Sequence, residues 1–212
     1  MKTEINNKST DTNANNMLAD AVCRPILFST PMVQAILNGT KTQTRRQVKG
    51  MALDWLNDGF TPEFVAMKEN GFGKANVGDI FWVRETFGKI LSFDKYCYRA
   101  DVESKYDKPA LGWKPSIFMP RDACRIWLEV TGKKIERLRD IFHVDARNEG
   151  VDFIQGISQK LYYNYLTLDY GCNELFSFMT LWQKINGEKS WEENPWVWVY
   201  SFKRIECPEG FR

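Results

Sequence analysis

Ile36-Leu37-Asn38-Gly39-Thr40-Lys41-Thr42-Gln43-Thr44-Arg45-Arg46 is the stretch on which the reading of this chain turns. Just upstream, Ser29-Thr30-Pro31 places a hydroxyl before a proline, the arrangement that opens a helix. Val33, Ile36 and Leu37 then recur at spacings of three and four, which gives one apolar helix face. Asn38-Gly39 supplies the left-handed stop. The residues after that stop leave a defined corner carrying one amine, three hydroxyls and two guanidiniums. Such a set suits a polar or anionic ligand. It equally suits a solvated basic turn running into a Thr-rich strand, and residue types alone leave both readings open.

Working outward, Pro25 to Phe28 is a short apolar run suited to a buried strand. Residues 1–23 hold little to bury and predict a disordered or loosely attached tail, followed by one domain over 24–206 and a short tail at 207–212. On the other side, Gly50 to Val77 reads as an insertion with an amphipathic piece around Trp55. Gly78-Asp79 turns the chain into Ile80-Phe-Trp-Val-Arg84, a strand of β-branched and aromatic residues. Further strands are predicted at Tyr96 to Ala100 and Arg125 to Val130, with a Pro-bounded, shaped loop at Trp113 to Arg121 between them.

A short helix over His143 to Asn148 should end at Gly150, leaving Glu149 at its C-terminal edge. A carboxylate there faces the negative end of the helix dipole, so either a function or simple solvation accounts for it. Val151 to Cys172 reads as a second insertion, in which Tyr162, Tyr163, Tyr165 and Tyr170 offer a stacking platform or satellite packing. The helix over Asn173 to Asn186 is read as core packing through Leu175, Met179, Trp182 and Ile185. Trp196-Val-Trp-Val-Tyr-Ser-Phe202 is apolar on both faces and predicts a central strand. Together these elements predict an α+β fold, a small β-barrel with flanking helices and two insertions.

A chain of 212 residues, 43% hydrophobic and 14% aromatic, can bury one sizeable core. Its net charge of +2 argues against a general polyanion binder, although Lys41, Arg45, Arg46 and Lys49 form a local basic cluster able to meet phosphate. The five cysteines are scattered, with no C-x-x-C pair and one histidine, His143, so neither a disulfide framework nor a metal site is expected, and no cofactor is implied. No apolar signal-peptide core and no run approaching the ~20 residues of a membrane span are present, which predicts a reducing cytoplasm and no membrane partner.

The helix ending Ile-Leu-x-Gly-x-Lys-Thr-x-Thr-x-Arg, the Gly-Asp-x-x-x-Val-Arg-Glu strand and the terminal Trp-Val-Trp-Val-Tyr-Ser-Phe-Lys strand resemble the ASCH group of the PUA-like superfamily. More narrowly, Trp82-Val-Arg-Glu-Thr-Phe, Pro115-Ser-Ile-Phe-Met-Pro-Arg and Asn194-Pro-Trp-Val-Trp-Val resemble bacteriophage and prophage ASCH proteins, which places the expected setting in the cytoplasm of a bacterial host. The resemblance implies a PUA-like barrel with a cleft between barrel and helices, where a modified nucleoside or an RNA or DNA base binds. The chain is also similar, more distantly, to bacterial amidohydrolases that deacetylate N4-acetylcytidine with a lysine, a threonine and a glutamate. Their motif carries over onto Lys41, Thr44 and Glu149.

Amide hydrolysis needs a nucleophile, a base and an acid, roles that Thr44, Lys41 and Glu149 would fill in that order. Lys41 must then be neutral, which requires desolvation or the pressure of Arg45 and Arg46. In a regular strand Lys41 and Thr44 point to opposite faces, so they act together only if the chain bends between them. The alternative is a non-catalytic reader: Trp82 or Trp113 stacks on the base, Arg46 and Arg84 meet phosphate, and Glu85 or Ser116 reads the base edge. Thr42, Arg45 and Arg121 complete this candidate binding set. Ordinary core packing is the competing explanation for each of the eight tryptophans, and Arg84 and Glu85 face opposite ways on their strand. A lysine-assisted ribonuclease ranks third.

Overall fold

The computed structural model describes residues 21–90, 95–102, 109 and 112–209. Of the expected tails at 1–23 and 207–212, residues 1–20 and 210–212 lie outside them, while Cys23 already belongs to the first strand. The chain runs β1 (Cys23–Leu27), α1 (Thr30–Leu37), β2 (Gln43–Gln47), α2 (Met51–Asn57), α3 (Pro62–Val65), β3 (Ile80–Arg84), β4 (Phe87–Ile90), β5 (Lys95–Tyr98), β6 (Trp127–Arg137), α4 (His143–Asn148), β7 (Phe153–Gln155), β8 (Lys160–Asn164), β9 (Asp169–Cys172), α5 (Glu174–Asn186) and β10 (Trp196–Ile205). The fold is α+β. No helix among the described residues is long and apolar enough to cross a membrane.

Five strands form the main sheet in the order β1-β3-β6-β10-β2. β1 runs parallel to β3, while β6 and β10 share a long antiparallel ladder from Trp127 to Arg137. The doubly apolar sequence of β10 fits its central place between β6 and β2. No backbone pairing among the described residues joins the edge strands β1 and β2. A side chain does so instead: the Arg46 guanidinium donates to the Leu27 carbonyl at 3.2 Å and lies 5.4 Å from the Phe28 ring centre.

The sheet buries both faces. Ile26, Phe81, Val83, Leu128, Trp198 and Tyr200 pack with α1 and α2 on one side. Val197 and Val199 pack with Leu138, Phe178 and Trp182 on the other. The segment 50–77 is compact: Trp55 packs on Phe60, Phe64 and Phe72, with ring centres 5.1, 5.9 and 4.9 Å away. The second insertion is a three-stranded meander, β7-β8-β9.

α5 departs from the expected packing face. Its buried residues are Ser177, Phe178, Thr180 and Trp182, whereas Ile185 is exposed. The meander causes the shift: the Ser177 hydroxyl donates to the Tyr163 carbonyl, and Thr180 accepts from the Tyr165 N–H. These hydroxyls can be buried because their hydrogen bonds are made.

Candidate functional site

The helix stop after α1 forms as the sequence suggests, with Gly39 at φ 74° and the Thr40 and Lys41 N–H groups folding back onto the Ala35 carbonyl. The strand β2 does not begin until Gln43. Between them, the Thr42 N–H turns to the Asn148 carbonyl of α4, and Lys41 pairs with Glu149 in an isolated bridge. The Thr42 carbonyl accepts from the Phe202 N–H and so continues the β2–β10 ladder. The chain thus stays extended from Lys41 to Arg45, with Lys41 and Arg45 on the Glu149 side, and does not supply the bend that joint use of Lys41 and Thr44 requires.

Glu149 caps α4, and Gly150 follows at φ 77°. A Cβ on Gly150 would lie 2.7 Å from the Lys41 Cβ and 2.9 Å from the Ala35 Cβ. Both the backbone conformation and the close approach require glycine there. The resulting contact brings the Lys41 Nζ within 3.0 Å of Glu149 Oε2, 2.8 Å of the Glu149 carbonyl and 2.8 Å of the Gln43 carbonyl. Three acceptors match the three N–H donors of an ammonium. Lys41 is only 2% exposed. That burial pulls its pKa below the ordinary lysine value; Glu149 opposes the shift, and Arg46 and Arg45 add to it.

The other Glu149 oxygen, Oε1, accepts from Arg45 Nη1 at 3.0 Å. Arg45 also reaches Glu136 on β6, at 2.7 Å, and Asp145 on α4, at 3.3 Å. With Lys134 on Glu136, three cations face three carboxylates: Lys41, Arg45 and Lys134 against Glu136, Asp145 and Glu149. Such a buried network ties β2, β6 and α4 together. Removing Lys41, Arg45 or Glu149, its buried members, would leave a charge stranded, at a cost of about 3–5 kcal/mol.

Thr44 sits apart. Opposite Tyr200 in the sheet it is 0% exposed, and its hydroxyl has no hydrogen-bond partner. The lysine and glutamate of the expected trio converge, while the threonine makes no hydrogen bond to either.

A cleft of about 690 Å³ opens between β2, α1 and α5, large enough for a nucleoside. Its apolar wall comes from α5 through Phe178, Leu181, Trp182 and Ile185, with Arg45, Arg46 and Glu149 on the polar side. α5 is thus a ligand-facing wall as well as core packing, a role that its apolar periodicity does not distinguish from core. Lys41 and Thr44 are absent from the lining. A second cavity, about 560 Å³, adjoins the first at Pro31, Gly150 and Tyr165.

The remaining sequence candidates lie elsewhere. Thr42 holds Asn148 and Phe202 through its backbone. Glu85, 1% exposed, accepts from Nε and Nη2 of Arg125 at 2.8 and 3.0 Å. Burial pushes its carboxyl above the usual range, with Arg125 opposing. Arg84 donates to the Ile117 carbonyl and lies over Trp82, and Arg99 lies over Trp113. Ser116 opens a turn whose carbonyl accepts from Met119, and Arg121 lies over Trp127. None of Trp82, Arg84, Glu85, Trp113, Ser116 and Arg121 lines the cleft beside Glu149, so the sequence-based binding set divides between two parts of the molecule.

Sequence reasoning missed Glu136, Asp145, Phe178 and Trp182 as parts of this site. Asp145 lies four residues before Glu149 in the same short helix, a spacing that puts two carboxylates on one face and is a readable signal. Glu136 offers none, since it meets Arg45 only through the β6–β10–β2 order. No group of three or more potential metal ligands occurs among the described residues. Neither a family model, nor a curated protein, nor a solved structure matches the chain.

Proposed function

We propose that the cleft between β2, α1 and α5 binds a modified nucleoside or a nucleic-acid base, in an ASCH-type member of the PUA-like superfamily. One observation carries the reading: the Lys41–Glu149 pair, 3.0 Å apart, stands at the edge of a nucleoside-sized cleft and presents Glu149 to it. The sequence resemblance gives those two residues the same pairing of roles. The Arg46 bridge between the edge strands supports a sheet that curls toward the small barrel of that superfamily.

Hydrolysis of an N-acylated cytidine-like base is the second reading, supported by the lowered pKa of Lys41 and by its contact with Glu149. It asks more of the molecule. The Lys41 amine would have to leave its acceptors, and the buried Thr44 hydroxyl would have to reach the substrate. Binding alone needs neither change, so a reader of modified bases ranks first. The ribonuclease reading has no support from His143, which is exposed, contacts Glu174 and lies outside the cleft lining.

Titration with N4-acetylcytidine and a panel of other modified nucleosides tests the proposal. Saturable binding, weakened tenfold or more in Glu149→Gln, is the expected result. No binding across the panel overturns it. Release of cytidine that is lost in both Lys41→Ala and Thr44→Val adds hydrolysis, whereas binding without release leaves a reader.

A further inference from the structure

The charges lining the cleft are not balanced. Arg45 and Glu149 neutralise each other within the buried network. Arg46, Lys49 and Lys184 also line the cleft, and none has a carboxylate partner among the described residues. Arg46 is the most constrained of the three. It donates to the Arg45 carbonyl at 3.1 Å and to the Leu27 carbonyl at 3.2 Å, with the Phe28 ring beneath it. These contacts fix the guanidinium without neutralising it and leave N–H groups unused.

Two further features agree. Burial holds the Arg46 guanidinium below the ordinary arginine value, Glu149 and Tyr200 offsetting only part. Burial, followed by the charges of Arg46, Arg24 and Arg84, likewise lowers Lys74, so positive potential extends beyond the cleft along the sheet. Trp182 lines the same cleft at 5% exposure, and its indole N–H has no acceptor. A partly desolvated cation costs free energy until a ligand supplies oxygen atoms to it, and the Trp182 ring offers that ligand an aromatic wall.

We infer that the cleft takes a phosphorylated nucleoside of single-nucleotide size, its phosphate held by Arg46 with Lys49 and Lys184 and its base against Phe178, Trp182 and Ile185. This inference rests on the base-binding reading and specifies the ligand class. A phosphate monoester, with about −1.5 to −2 charge at neutral pH, complements the unmatched cations as a neutral nucleoside does not. The volume of about 690 Å³ suits one nucleotide, and the net charge of +2 gives little general attraction for a long polyanion.

The test is calorimetric titration of the full chain, with Trp fluorescence as a second signal. The probes are adenosine, guanosine, cytidine, uridine and N4-acetylcytidine, each with and without a 5′-phosphate, at low and high salt. At least one phosphorylated form should bind tenfold or more tightly than its parent nucleoside. That advantage should shrink in high salt and in Lys49→Gln/Lys184→Gln, and should vanish in Arg46→Gln. The doubly substituted variant changes only exposed residues, so it keeps the test decisive if Arg46→Gln does not fold. Equal affinity for nucleoside and nucleotide overturns this inference and leaves the base-binding reading standing. No binding of any probe overturns both. Binding of a short oligonucleotide without binding of any mononucleotide overturns the single-nucleotide form.

Discussion

Glu149 and Glu85 are both buried glutamates held by arginine, yet they occupy opposite kinds of place. Glu85 meets one guanidinium side on, through Nε and Nη2, and Arg125 divides itself between Glu85 and Asp101. The pair is self-contained and faces no cleft among the described cavities. Glu149 divides its two oxygens between a lysine and an arginine and still lines a cleft. Burial and pairing alone therefore do not distinguish the two carboxylates. What separates the two is the second cation and the open volume beside it.

Replacing Arg45 is the harshest way to break that contrast. Arg45→Met leaves Asp145 without a cation in the network and Glu149 and Glu136 with one each, and chemical unfolding should show a loss of about 4 kcal/mol. Next comes Gly150→Ala, which forces a methyl into Lys41 and Ala35 at positive φ. It should cost about 2 kcal/mol and displace Glu149, so nucleoside titration should weaken along with stability. A Gly150→Ala protein with unchanged stability would show that the α4 end is free to retreat from β2.

Glu85→Gln should cost less, about 1–2 kcal/mol, and should leave nucleoside affinity as it was. Its pH dependence gives a sharper signature. Because the folded Glu85 carboxyl is raised, its contribution is complete below the ordinary carboxylate range and is lost as pH rises through the raised value. The wild-type advantage over Glu85→Gln should therefore shrink from mild acid to neutrality in urea titrations. Glu174, at the start of α5, slopes the other way. Partial burial pushes its carboxyl up, but its own backbone N–H, Arg147 and His143 together hold it lower than usual. Its contribution is present above the ordinary carboxylate range and is lost as pH falls through the depressed value, so Glu174→Gln should cost about 0.5 kcal/mol at neutral pH and nothing in strong acid.

Local signals in the sequence carry most of the fold. The α1 stop at Gly39, the strand Ile80–Arg84 and the α4 end at Glu149 all lie where capping, β-branching and glycine place them. The central position of β10 follows from its two apolar faces. The site is legible only in part, because its contacts span long separations: Lys41 to Glu149 is 108 residues, and Arg45 to Glu136 is 91. Nothing local to Arg45 distinguishes a buried guanidinium from a solvated one. The α5 face escapes its own periodicity for a related reason, since Ser177 and Thr180 are buried by hydrogen bonds to a meander whose docking no helical pattern encodes.

The Arg46 bridge has a consequence for how the protein behaves in a crowded solution. β1 and β2 are both sheet edges, and an edge strand offers backbone groups to any passing chain. One guanidinium, anchored on the Arg45 and Leu27 carbonyls, occupies an acceptor on each edge at once. A residue that lines the cleft thereby also guards against strand-to-strand self-association. Selection acting on recognition and selection acting on solubility would converge on the same side chain, and a variant that loses the first would be prone to aggregate.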